Sequence, residues 1–120
     1  ITAMKENLCS VTLQDRSCEA CRGDASPLSP EEYAPFLAQL GGNWEVLNEK
    51  VLIKTYTFPD FKAALAFVNH VGSVAELEQH HPDIELSWGK VVVRIWTHKI
   101  GGLSLNDFIL AAKTDAYQTA

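Results

Sequence analysis

Of the four histidines in the 120 residues, three stand where proton chemistry could be done: His80 and His81 side by side before Pro82, and His98 seventeen positions beyond His81. Two carboxylates bracket them, Glu76 four residues before His80 and Asp107 nine after His98. Free imidazole titrates nearer neutrality than any other side chain, so a gathered set can offer proton donors and acceptors together at pH 7. A carboxylate one helical turn away, as Glu76 would be from His80, can orient the ring and raise its basicity. The spacing therefore points to general acid–base catalysis. A structural reading stands beside it: paired histidines at a helix end also interact with the last carbonyls and the negative end of the helix dipole. His70, alone inside a predicted helix, reads as a surface or packing residue.

These groups meet only if secondary structure carries them to one place. Residues 5–28 mix polar residues with Cys9, Cys18, Cys21, Gly23 and Pro27 without a sustained period, which reads as an N-terminal arm over 1–28 ahead of a domain over 29–120. Met4 is the only methionine, and residues 1–3 before it, candidates for an expression remnant, stay outside the fold argument. Ser29, Pro30 and Glu32 supply an N-cap, a first-position proline and the third-position glutamate of a capping box. They predict a helix to about Leu40, stopped by Gly41-Gly42-Asn43. Two β-rich runs, 44–47 and 51–58, flank Asn48-Glu49-Lys50 and predict a hairpin. Phe61, Ala64, Leu65, Val68 and Val71 keep the spacing of one face of a second helix that reaches about Gln79. Phe67 and Val74 lie off that stripe, an arrangement expected if another subunit covers them. Ser73 and Glu76 also have capping-box spacing, consistent with a helix restart after Gly72.

Pro82 disfavours helix at His81 and opens an extended segment. Ile84, Leu86 and Trp88 alternate on one strand, Val91, Val93 and Ile95 on the next, and the return strand is expected to end near His98. With Gly89-Lys90 as the turn, Trp88 pairs with Val91 and, by extrapolation, His81 falls opposite His98. His98 shares the side of Val92, Arg94 and Trp96, the less buried face. Ser104 with Asp107 caps a final helix whose apolar positions include Leu105, Phe108, Ile109 and Ala112. The order α-β-β-α-β-β-α is that of an α+β domain, a four-stranded antiparallel sheet with helices packed on one face.

Other motifs give less. Cys18 and Cys21 form a Cys-x-x-Cys pair, yet a structural zinc site wants four ligands, so these are read as free thiols and no metal is expected. Three cysteines fit a reducing compartment better than a disulfide framework. Trp44, Trp88 and Trp96 could stack on a flat heterocycle, or simply be core. Phosphate-loop, nucleophile-elbow and zinc-protease motifs are all missing. Hydrophobic residues at 47% and charged residues at 21% describe an ordinary folded domain. A net charge of -5 argues against direct nucleic-acid binding. No apolar run reaches the roughly 18 residues of a membrane span, and the N-terminus has no signal pattern, so the chain reads as cytoplasmic.

Glu76, His80-His81-Pro82, Trp88, His98 and Asp107, with their intervals, resemble the signature of pterin-4a-carbinolamine dehydratases. Gly101-Gly102-Leu103-Ser104 running into Asp107-Phe108 and Leu110-Ala111 resembles that family's lead-in to its last helix, and Gly41-Gly42-Asn43-Trp44 its first strand. The resemblance covers about 29–112. It implies a four-stranded antiparallel sheet with helices on one side, and loss of water from 4a-hydroxytetrahydrobiopterin or a related pterin without cofactor or metal. By the same resemblance His80 and His98 are the acids, His81 with Pro82 holds the pterin, Trp44 is a further substrate contact, and Glu76 and Asp107 orient the histidines. A homodimer or homotetramer is implied, as is a functional link to an aromatic amino acid hydroxylase in tetrahydrobiopterin recycling. Members of the family also act as partner-binding or regulatory proteins, including a dimerisation cofactor for a homeodomain transcription factor. The intact set from Glu76 to Asp107 favours catalysis here.

Overall fold

Ser29 caps the first helix as its sequence predicts: its hydroxyl accepts from Glu32 N–H at 3.3 Å while its own N–H donates to Glu32 Oε1 at 2.8 Å. This capping box starts α1, Pro30–Gln39. The computed structural model describes residues 26–40 and 43–119. The arm through residue 25, its cysteines and Gly41-Gly42 lie outside the described residues. Tyr33 and Phe36 of α1 face Phe108, with ring centroids 6.1 and 5.8 Å away.

Strands β1, Glu45–Leu47, and β2, Val51–Thr57, form the predicted hairpin. Asn48 and Glu49 both take left-handed backbone, φ 53 and 60, and Lys50 N–H closes on Leu47 O at 2.9 Å. Two successive left-handed residues match the right-handed twist of the strands they join. Asp60 then caps α2, Phe61–Glu78, by accepting from Ala63 N–H. α2 runs unbroken through Gly72, and Ser73 donates to Asn69 O instead of starting a new helix.

Strands β3, Asp83–Ser87, and β4, Lys90–Ile95, complete a four-stranded antiparallel sheet in the order β1-β2-β4-β3. Helix α3, Leu105–Thr119, follows a short 3-10 turn over His98–Ile100. Leu52, Tyr56, Val91, Val93 and Ile95 line one face of the sheet, and α2 and α3 cover that face. The fold class and element order thus match the expectation from sequence.

Two local expectations are corrected. Phe67 is fully buried within the subunit, 4.5 Å by ring centroid from Tyr56 and 5.2 Å from Phe58, and Val74 packs against the same core. α2 is flanked by the sheet and by α3, so its apolar arc is wider than one stripe. The outward apolar residues are instead Phe61, Leu65 and Leu77. The second correction concerns register: Leu86 pairs with Val91 and Asp83 with Arg94, so Trp88 and Gly89 make the turn. Gly89 explains the choice. Its carbonyl accepts from Phe58 N–H at 2.8 Å, and a Cβ on it would lie 2.9 Å from Phe58 O. Contact with the neighbouring strand, which the hairpin's own sequence does not encode, pins the tip, and Trp88 projects into solvent.

At the far end of α3, Asp115 gathers three donors: Trp44 Nε1 at 2.8 Å, Lys54 Nζ at 2.8 Å and Tyr56 Oη at 2.6 Å. This knot fixes α3 over β1 and β2. Burial, then the hydrogen bond to Asp115 and its charge, push the Tyr56 hydroxyl far above the ordinary tyrosine range. The unfolded tyrosine ionises near pH 10 while the folded one stays protonated, so its contribution is whole below about pH 10 and is lost as pH rises beyond it. Between about pH 9 and about pH 11, the melting temperature of Tyr56→Phe is expected to fall less than that of the parent chain. Equal falls would refute this assignment.

Candidate active site

The chemistry-bearing residues collect at the open end of the β3–β4 hairpin. α2 ends at Gln79 in left-handed conformation, φ 56, and His80 N–H reaches back to Ala75 O at 3.2 Å. This closure turns the chain sharply just before the histidine pair. The two rings consequently part company. His80 turns inward, with Nε2 2.6 Å from Asp107 Oδ1, while His81 turns back along α2, with Nε2 2.5 Å from Glu76 Oε2. The helical spacing had suggested Glu76 as the partner of His80; the left-handed turn at Gln79 moves His81 into that place.

The two pairs differ in setting. Asp107 is fully buried and the His80 side chain is 11% exposed, whereas His81 and Glu76 both face solvent. Carboxylates accept hydrogen bonds only, so each ring places its Nε2–H on the carboxylate. Nδ1 is then the nitrogen that each neutral ring has left for other work.

Asp107 lies in the first turn of α3, where the helix dipole favours negative charge. Its second oxygen, Oδ2, accepts from Ser104 N–H at 2.8 Å and from Thr97 Oγ1 at 2.9 Å. Ser104 Oγ lies 2.7 Å from Thr97 Oγ1. Since Thr97 spends its single hydroxyl proton on Asp107, Ser104 is the donor in that last contact. The order is Ser104 to Thr97 to Asp107, with His80 on the opposite oxygen.

His98 does not pair with His81. β4 ends at Ile95, the β3–β4 ladder stops at Asp83 and Arg94, and His98 begins the exposed 3-10 turn. Its ring rests on Trp96, centroids 4.4 Å apart. What ties His98 to the group is Thr97, the residue before it, which is bonded to Asp107. Pro82 follows His81 into β3 and is half-buried. Trp44 is elsewhere: it is 6% exposed, its N–H is committed to Asp115, and Asp115 lies about 12 Å along α3 from Asp107 at 1.5 Å per residue. A buried indole in a separate network offers no ring face to a ligand beside the histidines.

Sequence reasoning passed over Thr97 altogether and saw Ser104 only as a helix cap. The available signal was a hydroxyl residue directly before His98 at a strand end. Among the described residues no three His, Cys, Asp or Glu side chains are grouped to hold a metal ion.

The chain has relatives. Residues 26–117 match the family model described as pterin 4 alpha carbinolamine dehydratase. A protein of Rickettsia bellii is 46% identical over 107 residues, covering 89% of this chain and 95% of its own. One of Syntrophotalea carbinolica is 48% identical over 107 residues, covering 87% and 95%. Both carry the name pterin-4-alpha-carbinolamine dehydratase as a provisional assignment. A crystal structure from Brucella melitensis, titled transcriptional coactivator/pterin dehydratase, superposes with a TM-score of 0.70 at 26% identity, over 76% of this chain and 97% of that one.

Proposed function

This chain belongs to the pterin-4a-carbinolamine dehydratase family, and from that premise we propose that it is a hydro-lyase that removes water from 4a-hydroxytetrahydrobiopterin or a related 4a-hydroxytetrahydropterin by histidine acid–base catalysis. The C4a–O bond breaks as the lone pair of the adjacent ring nitrogen forms a C=N bond. Hydroxide is a poor leaving group, so an acid must protonate the departing oxygen, while a base removes a ring N–H proton to leave the neutral quinonoid dihydropterin and water.

The observation that carries this reading is the His80–Asp107 pair, a nearly enclosed imidazole oriented by a fully buried carboxylate. In the proposed division of work His80 and His98 serve the hydroxyl; His80, its Nε2–H held by Asp107, donates from Nδ1 while the ring carries its second proton and is left as the neutral Nε2–H ring once water departs. His81, oriented by Glu76, together with Pro82, holds the pterin. The set needs no cofactor and no metal. A place in tetrahydropterin recycling beside an aromatic amino acid hydroxylase, in the cytoplasm and as a homodimer or homotetramer, completes the proposal.

Purified protein is expected to accelerate dehydration of freshly generated 4a-hydroxytetrahydropterin, followed by ultraviolet absorbance, and to do so equally after treatment with a chelator. A rate no faster than the spontaneous one would sink the reading. Activity lost to chelator and restored by zinc would overturn its metal-free chemistry.

A second reading, a partner-binding regulatory protein or dimerisation cofactor, has one observation in its favour: Phe61, Leu65 and Leu77 of α2 face outward, Leu77 at 80% exposure. The dehydration assay separates the two readings, because binding alone requires no turnover.

A further inference from the structure

We propose that Thr97 is a positioning residue for both His80 and His98, a role that rests on the dehydratase reading above. Thr97 is 2% exposed, one of the few buried polar residues among those described. A buried hydroxyl must be hydrogen-bonded or carry its full desolvation cost, and that of Thr97 has two partners, Asp107 and Ser104.

Its side chain decides which way Asp107 points. A carboxylate in contact with His80 alone could rotate about its Cβ–Cγ bond and offer either oxygen at a range of angles. With Oδ2 fixed by Ser104 N–H and by the Thr97 hydroxyl, Oδ1 is the oxygen that meets His80 Nε2. Ser104 donates into Thr97 as Thr97 donates into Asp107, and each bond in such a chain polarises the next. The consequence for His80 is a single tautomer and one ring orientation, with Nδ1 directed away from Asp107.

Its main chain carries the second histidine. Thr97 is where β4 gives way to the 3-10 turn: its N–H donates to Gly102 O at 2.8 Å, and its carbonyl accepts from Ile100 N–H at 3.2 Å and Gly102 N–H at 3.4 Å. His98 is the first residue of the turn so closed. One residue therefore joins the buried carboxylate behind His80 to the backbone that presents His98. The link from Thr97 to His98 is the chain itself, whereas that to His80 runs through Asp107 and emerges only in three dimensions.

The test compares Thr97→Val, which keeps the shape and removes the hydroxyl, with Thr97→Ser, which keeps the hydroxyl and removes the methyl. Partners behind metal-bound histidines cost about 10–100-fold when removed, and a loss of that order in kcat, with KM within about twofold, is expected for Thr97→Val. Thr97→Ser is expected to recover most of the rate. Imidazole 15N shifts supply a readout without substrate: His80 is expected to show the Nε2–H tautomer in the parent chain and in Thr97→Ser, and a tautomer mixture in Thr97→Val. Should the valine variant fail to fold, Thr97→Ala, which adds no bulk, takes its place with the same expected results. Parental kcat and 15N shifts in the hydroxyl-free variant would overturn the proposal, and so would a serine variant as impaired as the valine one, since packing alone would then account for the residue. If the parent chain proved inactive, the dehydratase reading would fall, while the 15N comparison would still decide whether Thr97 sets the His80 ring.

Discussion

On the proposed function, replacing His80 by alanine is expected to lower kcat for 4a-hydroxytetrahydropterin dehydration by about 10²–10⁴-fold, the range in which a positioned acid or base contributes. The chain still folds, because Asp107 keeps Thr97 Oγ1 and Ser104 N–H as donors and the His80 ring belongs to no part of the aliphatic core. Circular dichroism and a cooperative melt close to that of the parent are the controls. His98→Ala is expected to lose most of the rate as well, and at lower cost to stability, since His98 stands exposed on its turn. KM separates these histidines from His81: loss of a group that acts on the leaving hydroxyl falls on kcat, whereas loss of a group that holds the ring in ground and transition states alike falls on KM. Turnover by His80→Ala within about tenfold of the parent would remove His80 from the chemistry.

Asp107→Ala is expected to damage both folding and catalysis. The carboxylate is fully buried and accepts from His80 Nε2, Thr97 Oγ1 and Ser104 N–H, so its removal strands three donors at once. Breaking a buried network of this kind by deleting one partner costs about 3–5 kcal/mol. For a domain of this size that corresponds to a fall in melting temperature of about 10–20 °C, read by calorimetry or thermal circular dichroism. Asp107→Asn keeps one acceptor oxygen in nearly the same shape and is expected to fall between parent and alanine variant. If Asp107 acts through His80, as proposed, the double variant His80→Ala, Asp107→Ala is expected to turn over no more slowly than His80→Ala alone. Rates that multiplied instead would mean that Asp107 contributes to turnover independently of His80, and an alanine variant as stable as the parent would mean that the buried network is energetically idle.

Signals written in short stretches of sequence were legible beforehand. The Ser29 capping box, the hairpin at Asn48-Glu49-Lys50, the long second helix with its end at Gln79, and the alternation of Val91, Val93 and Ile95 all depend on neighbours a few residues away. What escaped depends on contacts between distant segments. The hairpin register follows from Gly89 docking on the Phe58 backbone, thirty-one positions earlier. The burial of Phe67 follows from α2 being flanked by the sheet and by α3, which no one-helix pattern reveals. The Asp115 knot brings Trp44, just before β1, together with Lys54 and Tyr56 of β2. Within the candidate site both carboxylates were expected beside histidines, and what was not legible is which ring each meets: Glu76 was matched by spacing to His80 and lies on His81, because the left-handed residue Gln79 turns the chain between them.

The hairpin that carries the site also restricts how the chain can change in length. His80 and His81 precede its first arm, and Trp96 and His98 follow its second, with the ladder from Asp83↔Arg94 to Ser87↔Lys90 between them. Deleting or inserting one residue inside either arm would turn Ile84 and Leu86, or Val91 and Val93, from the core to the open side, and would shift the imidazoles by one rung. Changes in pairs would preserve the facing, yet any at the tip would have to leave Gly89 seated on Phe58. The interval between the two histidine-bearing segments is therefore a counted quantity, and single-residue indels within 83–95 are expected to be tolerated poorly.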